Sequence, residues 1–325
     1  MFNNIIFLFI ILSLLLSLFI DLLYGELPTS IHPVVIVGKI IDFYKNILMK
    51  YRSRLSGFFL YILVAVTSLL ILFIVMKIAE LNSILFFIVF SVVLSSTFSV
   101  RMLISSVRDI EDKLKSNIDD ARQAVSYLVS RDTEELSESL IVSATIETLT
   151  ENITDSYIAP VFYYTLTCLI MIIFNKDMFI LLLFIPVIYR ISNTLDAMVG
   201  YKNEKLMYIG YFPAKIDDIL NYLPSRIAGL LIVLSAYILK FNYKNSYLMY
   251  RRDAKRCPSP NSGYTMATVA GALDIQLTKK NTYILGDSNR PIEIGDISST
   301  IKISKLTMML FTLIVLLSLT IVYMV

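Results

Sequence analysis

Five long stretches without a charged residue constrain this chain more than any other feature of its sequence. They cover 1–20, 57–76, 83–100, 156–175 and 306–325. About 20 helical residues cross a hydrocarbon core about 30 Å thick, so each stretch is long enough to span a bilayer. With 56% hydrophobic and 17% charged residues, the composition also departs from that of soluble domains. The stretches therefore predict an all-α, polytopic integral membrane protein of the cell membrane.

Two shorter apolar runs determine how often the chain crosses the bilayer. The run 178–189 can be extended into a span near 178–191. By contrast, the 13 residues 227–239 rise only about 20 Å as a helix, so we expect a re-entrant or buried helix there. About six spans follow, within a single membrane domain over 1–325 that also contains cytoplasmic helical segments.

Basic residues separate the polar segments into two classes. Of the 29 lysines and arginines, only Lys77 and Lys176 fall in the short connections 77–82 and 176–177. Because basic residues concentrate on the cytoplasmic side, we expect the long polar segments to be cytoplasmic. These are 21–56, 101–155, 192–226 and 240–305. The net charge of +3 is too small and too dispersed to indicate nucleic-acid binding.

Two cytoplasmic helices are expected between the third and fourth spans. Apolar residues recur at helical spacing over 106–131. Asp132 with Glu135 has the pattern of an N-cap and its reciprocal partner. The second helix is therefore predicted to begin near Asp132 and to end near residue 150.

Three carboxylates share one face of that second helix if it continues toward the membrane. Glu147, Glu151 and Asp155 occupy positions i, i+4 and i+8. Like charges at this spacing repel one another, so a Mg²⁺ ion, a basic partner or water must offset them. A functional acidic site and a solvated acidic face are both open interpretations.

A second polar face follows the fifth apolar run. Arg190, Asn193 and Asp196 are spaced so as to share one side of a helix. An ionisable residue so close to an apolar run usually lines a cavity, although an arginine can also anchor a helix end at the interface. The adjacent acids Asp217 and Asp218 indicate, by themselves, only the start of a helix.

The segment Ser259-Pro260-Asn261-Ser262-Gly263 has turn residues at nearly every position and precedes a predicted helix over 264–275. A turn that leads into a helix N-terminus directs backbone N–H groups at one point, which suits a phosphate or carboxylate. Asn261 is well suited to cap this helix, and the small residues Gly263, Ala267 and Gly271 predict close helix packing. An ordinary capped turn is the alternative.

Several common kinds of site are excluded. His32 is the only histidine, which rules out a histidine-rich metal centre, and an isolated histidine is most often a structural hydrogen-bonding residue. Cys168 and Cys257 give neither a disulfide framework nor a zinc-ligand cluster. No P-loop or dinucleotide-binding glycine motif occurs in the sequence.

Five motifs occur in a fixed order along nearly the whole chain. They are Asp21 to Pro28 with His32-Pro33; Glu147 to Asn152 with Asp155 and Ala159-Pro160; Tyr189-Arg190 with Asn193 to Tyr201; Asp217-Asp218 with Asn221, Pro224 and Arg226; and Ser259 to Gly263 with Ala270 to Leu273. Together they resemble the CobD/CbiB family of cobalamin-biosynthesis membrane proteins.

The resemblance implies the activity of an adenosylcobinamide-phosphate synthase, a ligase that forms a C–N amide bond. Such an enzyme joins the propionate carboxyl of adenosylcobyric acid to the amine of (R)-1-amino-2-propanol or of its O-phosphate. The product is adenosylcobinamide or its phosphate. The resemblance also implies ATP as cosubstrate, Mg²⁺, and other enzymes of the corrinoid pathway as candidate partners.

The same resemblance assigns candidate roles to residues. The catalytic candidates are Glu147, Glu151, Asp155, Arg190, Asn193 and Asp196. The candidates for binding substrate or phosphate are Asp21, Glu26, His32, Asp217, Asp218, Arg226, Ser259, Asn261, Ser262 and Gly263. The candidate Mg²⁺ ligands are Glu151, Asp155 and Asp196. Which carboxylate is the base and which binds metal depends on burial, which a sequence does not reveal.

Two other functions are compatible with a chain of this type. A non-catalytic, AmpE-like membrane signalling protein could share the scaffold, but it would not need both acidic faces and the Ser259–Gly263 turn. A small-molecule transporter would explain the short, interrupted apolar segments. However, the motifs lie in long cytoplasmic segments without evident paired halves.

Overall fold

The computed structural model describes residues 2–174, 179–201 and 203–324. Over these ranges almost all regular structure is helical. The α-helices are α1 (Phe2–Tyr24), α2 (Pro33–Leu48), α3 (Arg54–Ala79), α4 (Ser83–Ser95), α5 (Val100–Ser116), α6 (Ile118–Ser126), α7 (Glu138–Ile153), α8 (Ala159–Phe174), α9 (Phe179–Val199), α10 (Tyr211–Leu220), α11 (Tyr222–Ile238), α12 (Tyr243–Arg252), α13 (Gly263–Leu273) and α14 (Gly295–Met324). One antiparallel hairpin pairs β1 (Leu277–Lys279) with β2 (Tyr283–Leu285).

Six helical segments of the described chain are long and apolar enough to cross a membrane. They are Asn4–Tyr24, Arg54–Ala79, Ser83–Ser116, Glu138–Phe174, Phe179–Val199 and Gly295–Met324. The predicted all-α polytopic membrane fold is thereby confirmed. The expected short helix 227–239 is part of the longer α11, and α10 with α11 would make a seventh span if the pair crosses as one. The expected connection 176–177, with Lys176, lies outside the described residues.

The two cytoplasmic helices predicted between residues 106 and 150 differ from the structure, in which α5 and α7 belong to the long helical segments Ser83–Ser116 and Glu138–Phe174. The segment 106–131 is divided between α5 and α6, because the side chain of Asn117 caps a new helix by accepting from Asp119 N at 2.9 Å. The predicted start at Asp132 is wrong. Ser137 caps α7 instead, whereas Asp132 Oδ1 accepts from Glu134 N at 3.0 Å within a turn. Aspartate is common both as a helix N-cap and in turns, so its presence does not distinguish a helix start from a turn.

Packing divides the described residues into two compact units. Unit 1 comprises those within 1–99, 159–220 and 315–325, and unit 2 those within 100–158 and 221–314. In unit 1 a buried cluster joins α2, α3 and α9 through Ile41, Leu60, Val64, Ile191 and Leu195. The sequence predicts a single membrane domain over 1–325, and packing divides the described part of it into two compact units.

The central helix of unit 2 is α13, in which every residue is buried. A Cβ on Gly263 would lie 2.1 Å from the carbonyl oxygen of Ala254, and one on Gly271 would lie 2.5 Å from that of Asn245. Backbone therefore passes directly over both glycines. The close packing predicted from the small residues of this segment is present.

Replacing Gly271 with alanine tests this packing. We expect Gly271→Ala to lower the free energy of unfolding by about 1–3 kcal/mol, because the obstructing atom is backbone and cannot rotate away. The matched control is Gly295→Ala, since nothing lies within 4 Å of a Cβ placed there. Thermal unfolding in detergent measures both, and equal midpoints for the two variants would contradict the packing argument.

Candidate functional site

Glu147 lies in the buried middle of α7 and is the centre of a hydrogen-bond network in unit 2. Its Oε2 accepts from Arg131 Nη2 at 3.1 Å and from Tyr283 Oη at 2.9 Å. Its Oε1 accepts from Ser143 Oγ at 2.7 Å. Hydrogen bonds to an ionised carboxylate are about twice as strong as neutral ones. Both carboxylate oxygens of Glu147 are thus engaged by side chains of the protein itself.

The β1–β2 hairpin is docked on α7 through this network. Ser143 Oγ also accepts from Thr278 N at 2.9 Å, so the hairpin is attached at two points. Burial and then the negative charge of Glu147 raise the pKa of Tyr283 far above its usual range. The phenol therefore remains protonated and donates throughout the physiological pH range. Neither Arg131 nor Tyr283 was expected from the sequence.

The acidic face of α7 is shorter than predicted. Glu151 is exposed one turn beyond the buried Glu147, but α7 ends at Ile153 and Thr154–Ile158 form a π-helical turn. A π-turn adds a residue to the helical repeat, so the i, i+4, i+8 geometry ends before the half-buried Asp155. Such turns are frequent at functional sites.

The loop before α13 shares the electrostatic environment of these carboxylates. Burial raises the pKa of the Cys257 thiol to about 12, and the negative charges of Glu151 and Glu147 contribute to the increase. A neutral thiol of this kind is unreactive. The ammonium group of Lys279 on β1 acts on both Glu147 and Cys257. Segments distant in sequence thus meet around α7.

Asn261 does not cap α13, contrary to the prediction. The N-cap position is Ser262, which makes no side-chain capping bond. Ser259 Oγ instead accepts from the backbone N–H groups of Asn261 and Ser262, at 3.2 and 3.4 Å. The Asn261 Oδ1 accepts from Arg226 Nη1 at 2.9 Å. A charged donor thus occupies the oxygen that the cap would have used.

Arg226 joins this loop to α11. Its guanidinium lies between two aromatic rings, 3.5 Å from the centre of Tyr222 and 4.1 Å from that of Tyr264. Its Nη1 and Nη2 also donate to the carbonyl oxygens of Tyr222 and Pro260, at 2.6 and 3.2 Å. Cation–π contacts and hydrogen bonds together hold the Ser259–Gly263 loop in one conformation.

In unit 1, His32 caps α2. Its Nδ1 accepts from Val34 N at 3.2 Å, which requires that nitrogen to be unprotonated. Burial lowers the pKa of His32, the charge of Glu26 raises it, and that of Arg190 lowers it, with a net decrease. Glu26 itself accepts from Ser99 Oγ at 3.0 Å. The structure therefore brings three of the predicted residues, His32, Glu26 and Arg190, into one electrostatic environment.

The His32 cap makes a pH-dependent prediction. The unfolded chain titrates this histidine near 6.5 and the folded chain at lower pH, so the unfolded state binds more protons between the two pKa values. The stability contributed by neutral His32 is complete above about 6.5 and is lost as the pH falls through the lowered folded pKa. In His32→Asn, which can cap without titrating, the thermal midpoint should depend less on pH across this window. Identical profiles would contradict the assignment.

The other predicted residues of unit 1 lie on α1, α9 and α10. Arg190 Nη1 donates to Asn193 Oδ1 at 3.2 Å, so these two residues do share a face. The charges of Asp196 and Asp218 are close enough to interact. Asp217 acts electrostatically on the half-buried Tyr163. Asp21 is buried in the last turn of α1.

The predicted metal ligands are divided between the units. Glu151 and Asp155 belong to unit 2, and Asp196 belongs to unit 1. Among the residues that the structure describes, no group of three or more histidine, cysteine, aspartate or glutamate side chains is arranged to hold a metal ion. A Mg²⁺ site formed by these three residues stays a prediction.

Comparison with known proteins gives consistent matches. The family model described as CobD/Cbib protein matches residues 14–312. A probable cobalamin biosynthesis protein CobD of Methanothermobacter thermautotrophicus is 47% identical over 302 residues, which cover 92% of this chain and 95% of the relative. A cobalamin biosynthesis protein CobD of Leptospira interrogans is 37% identical over 309 residues, 91% of this chain and 93% of that one. No solved structure matches.

Proposed function

The chain belongs to the CobD/CbiB protein family, and from this premise we propose that it is a membrane enzyme of cobalamin biosynthesis that forms an amide bond. In the proposed reaction, ATP drives condensation of the propionate carboxyl of adenosylcobyric acid with the amine of (R)-1-amino-2-propanol or its O-phosphate. Family membership favours this role over the signalling protein and the transporter considered above.

The observation that supports the proposal is the convergence around α7 in unit 2. Glu151 and Lys279 both act electrostatically on Cys257, two residues before the Ser259–Gly263 loop, although more than 100 residues separate Glu151 from Cys257. Amide formation from a carboxylate proceeds most simply when a carboxylate oxygen attacks the γ-phosphoryl group of ATP and ADP leaves. The amine then attacks the acyl phosphate and phosphate leaves. A base must also remove a proton from the incoming ammonium.

Residues of unit 2 could meet each of these needs. Glu151, the exposed carboxylate, is our candidate for the base, and Glu147 positions the surrounding elements. The loop and the first turn of α13 are candidates for binding a phosphate. Mg²⁺ is commonly held by one or two protein carboxylates together with substrate phosphates, so Asp155, four residues after Glu151, has suitable donor atoms. A bound Mg²⁺ would neutralise charge on the transferring phosphoryl group.

Two experiments test the proposed reaction. The gene should restore growth of a cobalamin auxotroph that lacks this amide-forming step when cobyric acid is supplied. The purified protein, given adenosylcobyric acid, ATP, Mg²⁺ and either aminopropanol or its phosphate, should yield a product whose mass corresponds to the amide. Failure of both, with the protein folded, would refute the ligase proposal.

We also propose that the motif-bearing segments are cytoplasmic, where ATP is available. In a variant without Cys168 and Cys257, a cysteine at the exposed Ser288 should resist a membrane-impermeant thiol reagent in intact cells and react after permeabilisation. The control is Leu81→Cys in the short connection after α3, a position that is 86% exposed and should react in intact cells. Labelling of Ser288→Cys in intact cells would refute this topology.

A further inference from the structure

The exposed surface of α11 and α12 changes in chemistry along its length. On α11 four large apolar side chains recur at helical spacing and are exposed: Leu223, Leu230, Leu234 and Ile238. The opposite face of α11 packs into unit 2 through small buried residues such as Ala228, Gly229 and Ser235. An apolar stripe of this kind on a helix of a polytopic membrane protein is suited to contact with acyl chains.

The stripe ends in a band of tyrosines. Tyr237, Tyr243 and Tyr247 are all exposed, and the rings of Tyr237 and Tyr243 pack edge to face at 5.1 Å. The chain reverses between the two helices at Lys240, whose φ is +62°, and Phe241 N donates to Ala236 O at 2.8 Å. This tight turn keeps the tyrosines of both helices together. Tyrosine is enriched where a membrane meets water.

Positive charge follows the tyrosines. Lys240, Lys244, Arg251 and Lys255 are exposed, and no ion pair with another described residue involves any of them. The only acid between Lys240 and Arg256 is Asp253, which is 0% exposed and already bonded to Arg252 and Arg256. Within the segment 240–256 the exposed positive charge is therefore in excess; from outside it, Asp287 pairs with Arg252, and Asp274 accepts from Asn242 and Asn245.

The orientation of α12 places Tyr243, Tyr247 and Arg251 on one exposed side. Ser246 and Met249 are buried, and Ser246 Oγ donates to Thr268 O of α13 at 3.0 Å. Tyr243, Tyr247 and Arg251 lie at i, i+4 and i+8 on the opposite, exposed side. A short helix with an aromatic and basic exposed face is suited to lie along a membrane surface.

We propose that this α11–α12 surface binds anionic phospholipids. The apolar side chains of α11 contact acyl chains, the tyrosines lie at the level of the glycerol groups, and the lysines and Arg251 bind headgroup phosphates. The order apolar, aromatic, basic matches the order of a bilayer from its core to its surface. A protein partner would not require that order. The inference is independent of the proposed reaction.

The chain contains no tryptophan, so one introduced tryptophan is a specific reporter. The full-length Tyr247→Trp variant is placed in nanodiscs of phosphatidylcholine that contain lipids spin-labelled at carbon 5 or at carbon 12 of the acyl chain. We expect blue-shifted emission and stronger quenching by the carbon-5 label. Tyr127→Trp at the end of α6, where the native ring is 78% exposed, is the control and should be quenched by aqueous iodide instead.

The second measurement tests the charge preference. In nanodiscs that contain phosphatidylglycerol, label on that lipid should quench the Tyr247→Trp emission about twofold more than the same label on phosphatidylcholine. Adding Lys240→Gln, Lys244→Gln and Arg251→Gln should reduce this ratio to about one while the blue shift persists. Equal quenching by both lipids before these changes would overturn the anionic preference. Iodide quenching like that of Tyr127→Trp would show that the surface faces water or a protein, and would overturn the proposal.

Discussion

Glu151→Gln is expected to lower the rate of ATP-dependent amide formation by at least about 100-fold, the usual contribution of a general base. The side chain is exposed, so the substitution should cost little stability and could relieve repulsion with Glu147, one turn away. We expect Asp155→Asn and Asp196→Asn to lower turnover as well and to change its Mg²⁺ dependence. The measurement is kcat and KM of each detergent-purified variant over a Mg²⁺ titration.

The matched control is Glu138→Gln, which makes the same chemical change at an exposed position in the first turn of the same helix. It should leave turnover unchanged. Wild-type rates and unchanged Mg²⁺ dependence in Glu151→Gln would instead identify a solvated acidic face. That result would refute the assignment of Glu151 as the base without affecting the membership of the chain in its family.

The membrane spans could be predicted because they depend on a local property. A stretch of about 20 apolar residues has few stable structures other than a spanning or deeply buried helix. The five uncharged stretches therefore identified spans without information about packing. The length of α11 was underestimated because the charged Arg226 and the polar Ser225 interrupt the apolar sequence, so the first turn of the helix lies outside the apolar run.

Helix ends were harder to predict because several groups compete for the same donors and acceptors. Asp132 has a suitable capping pattern, but Ser137 caps α7. Asn261 precedes α13 in a favourable position, but Arg226, 35 residues earlier, takes its oxygen. Which competitor prevails depends on tertiary packing, which a local pattern does not encode.

The candidate site could be predicted only in part, because a sequence pattern shows local spacing but not tertiary contacts. Glu147 and Glu151 could be found because helical spacing is local. The partners of Glu147 could not, since Tyr283 lies 136 residues away on a hairpin of three-residue strands. Arg131 is the last residue of the helix predicted over 106–131, but in the structure it lies in an irregular segment before α7. These contacts arise only when the hairpin docks on α7.

Removing Arg131 should have the largest effect on stability. Arg131→Met leaves the buried Glu147 without its ion-pair partner, and breaking a buried pair in this way typically costs about 3–5 kcal/mol. Ser143 and Tyr283 still donate to the carboxylate, so the lower end of that range is expected. Because the hairpin is docked through the same carboxylate, amide formation should decrease along with the thermal midpoint.

Two further variants distinguish the loss of the Arg131–Glu147 ion pair from a general loss of packing. Arg122→Met makes the same change at an arginine that pairs with Asp119, which is 77% exposed, and whose Nε also donates to Leu136 O at 3.0 Å. A surface pair contributes at most about 1 kcal/mol, and a hydrogen bond adds about as much. The double variant Arg131→Met with Glu147→Gln removes both charges and should recover part of the lost stability. If Arg131→Met is no less stable than Arg122→Met, the buried pair does not hold the hairpin. If the double variant is as unstable as Arg131→Met alone, the loss comes from side-chain packing of Arg131 rather than from an unpaired carboxylate.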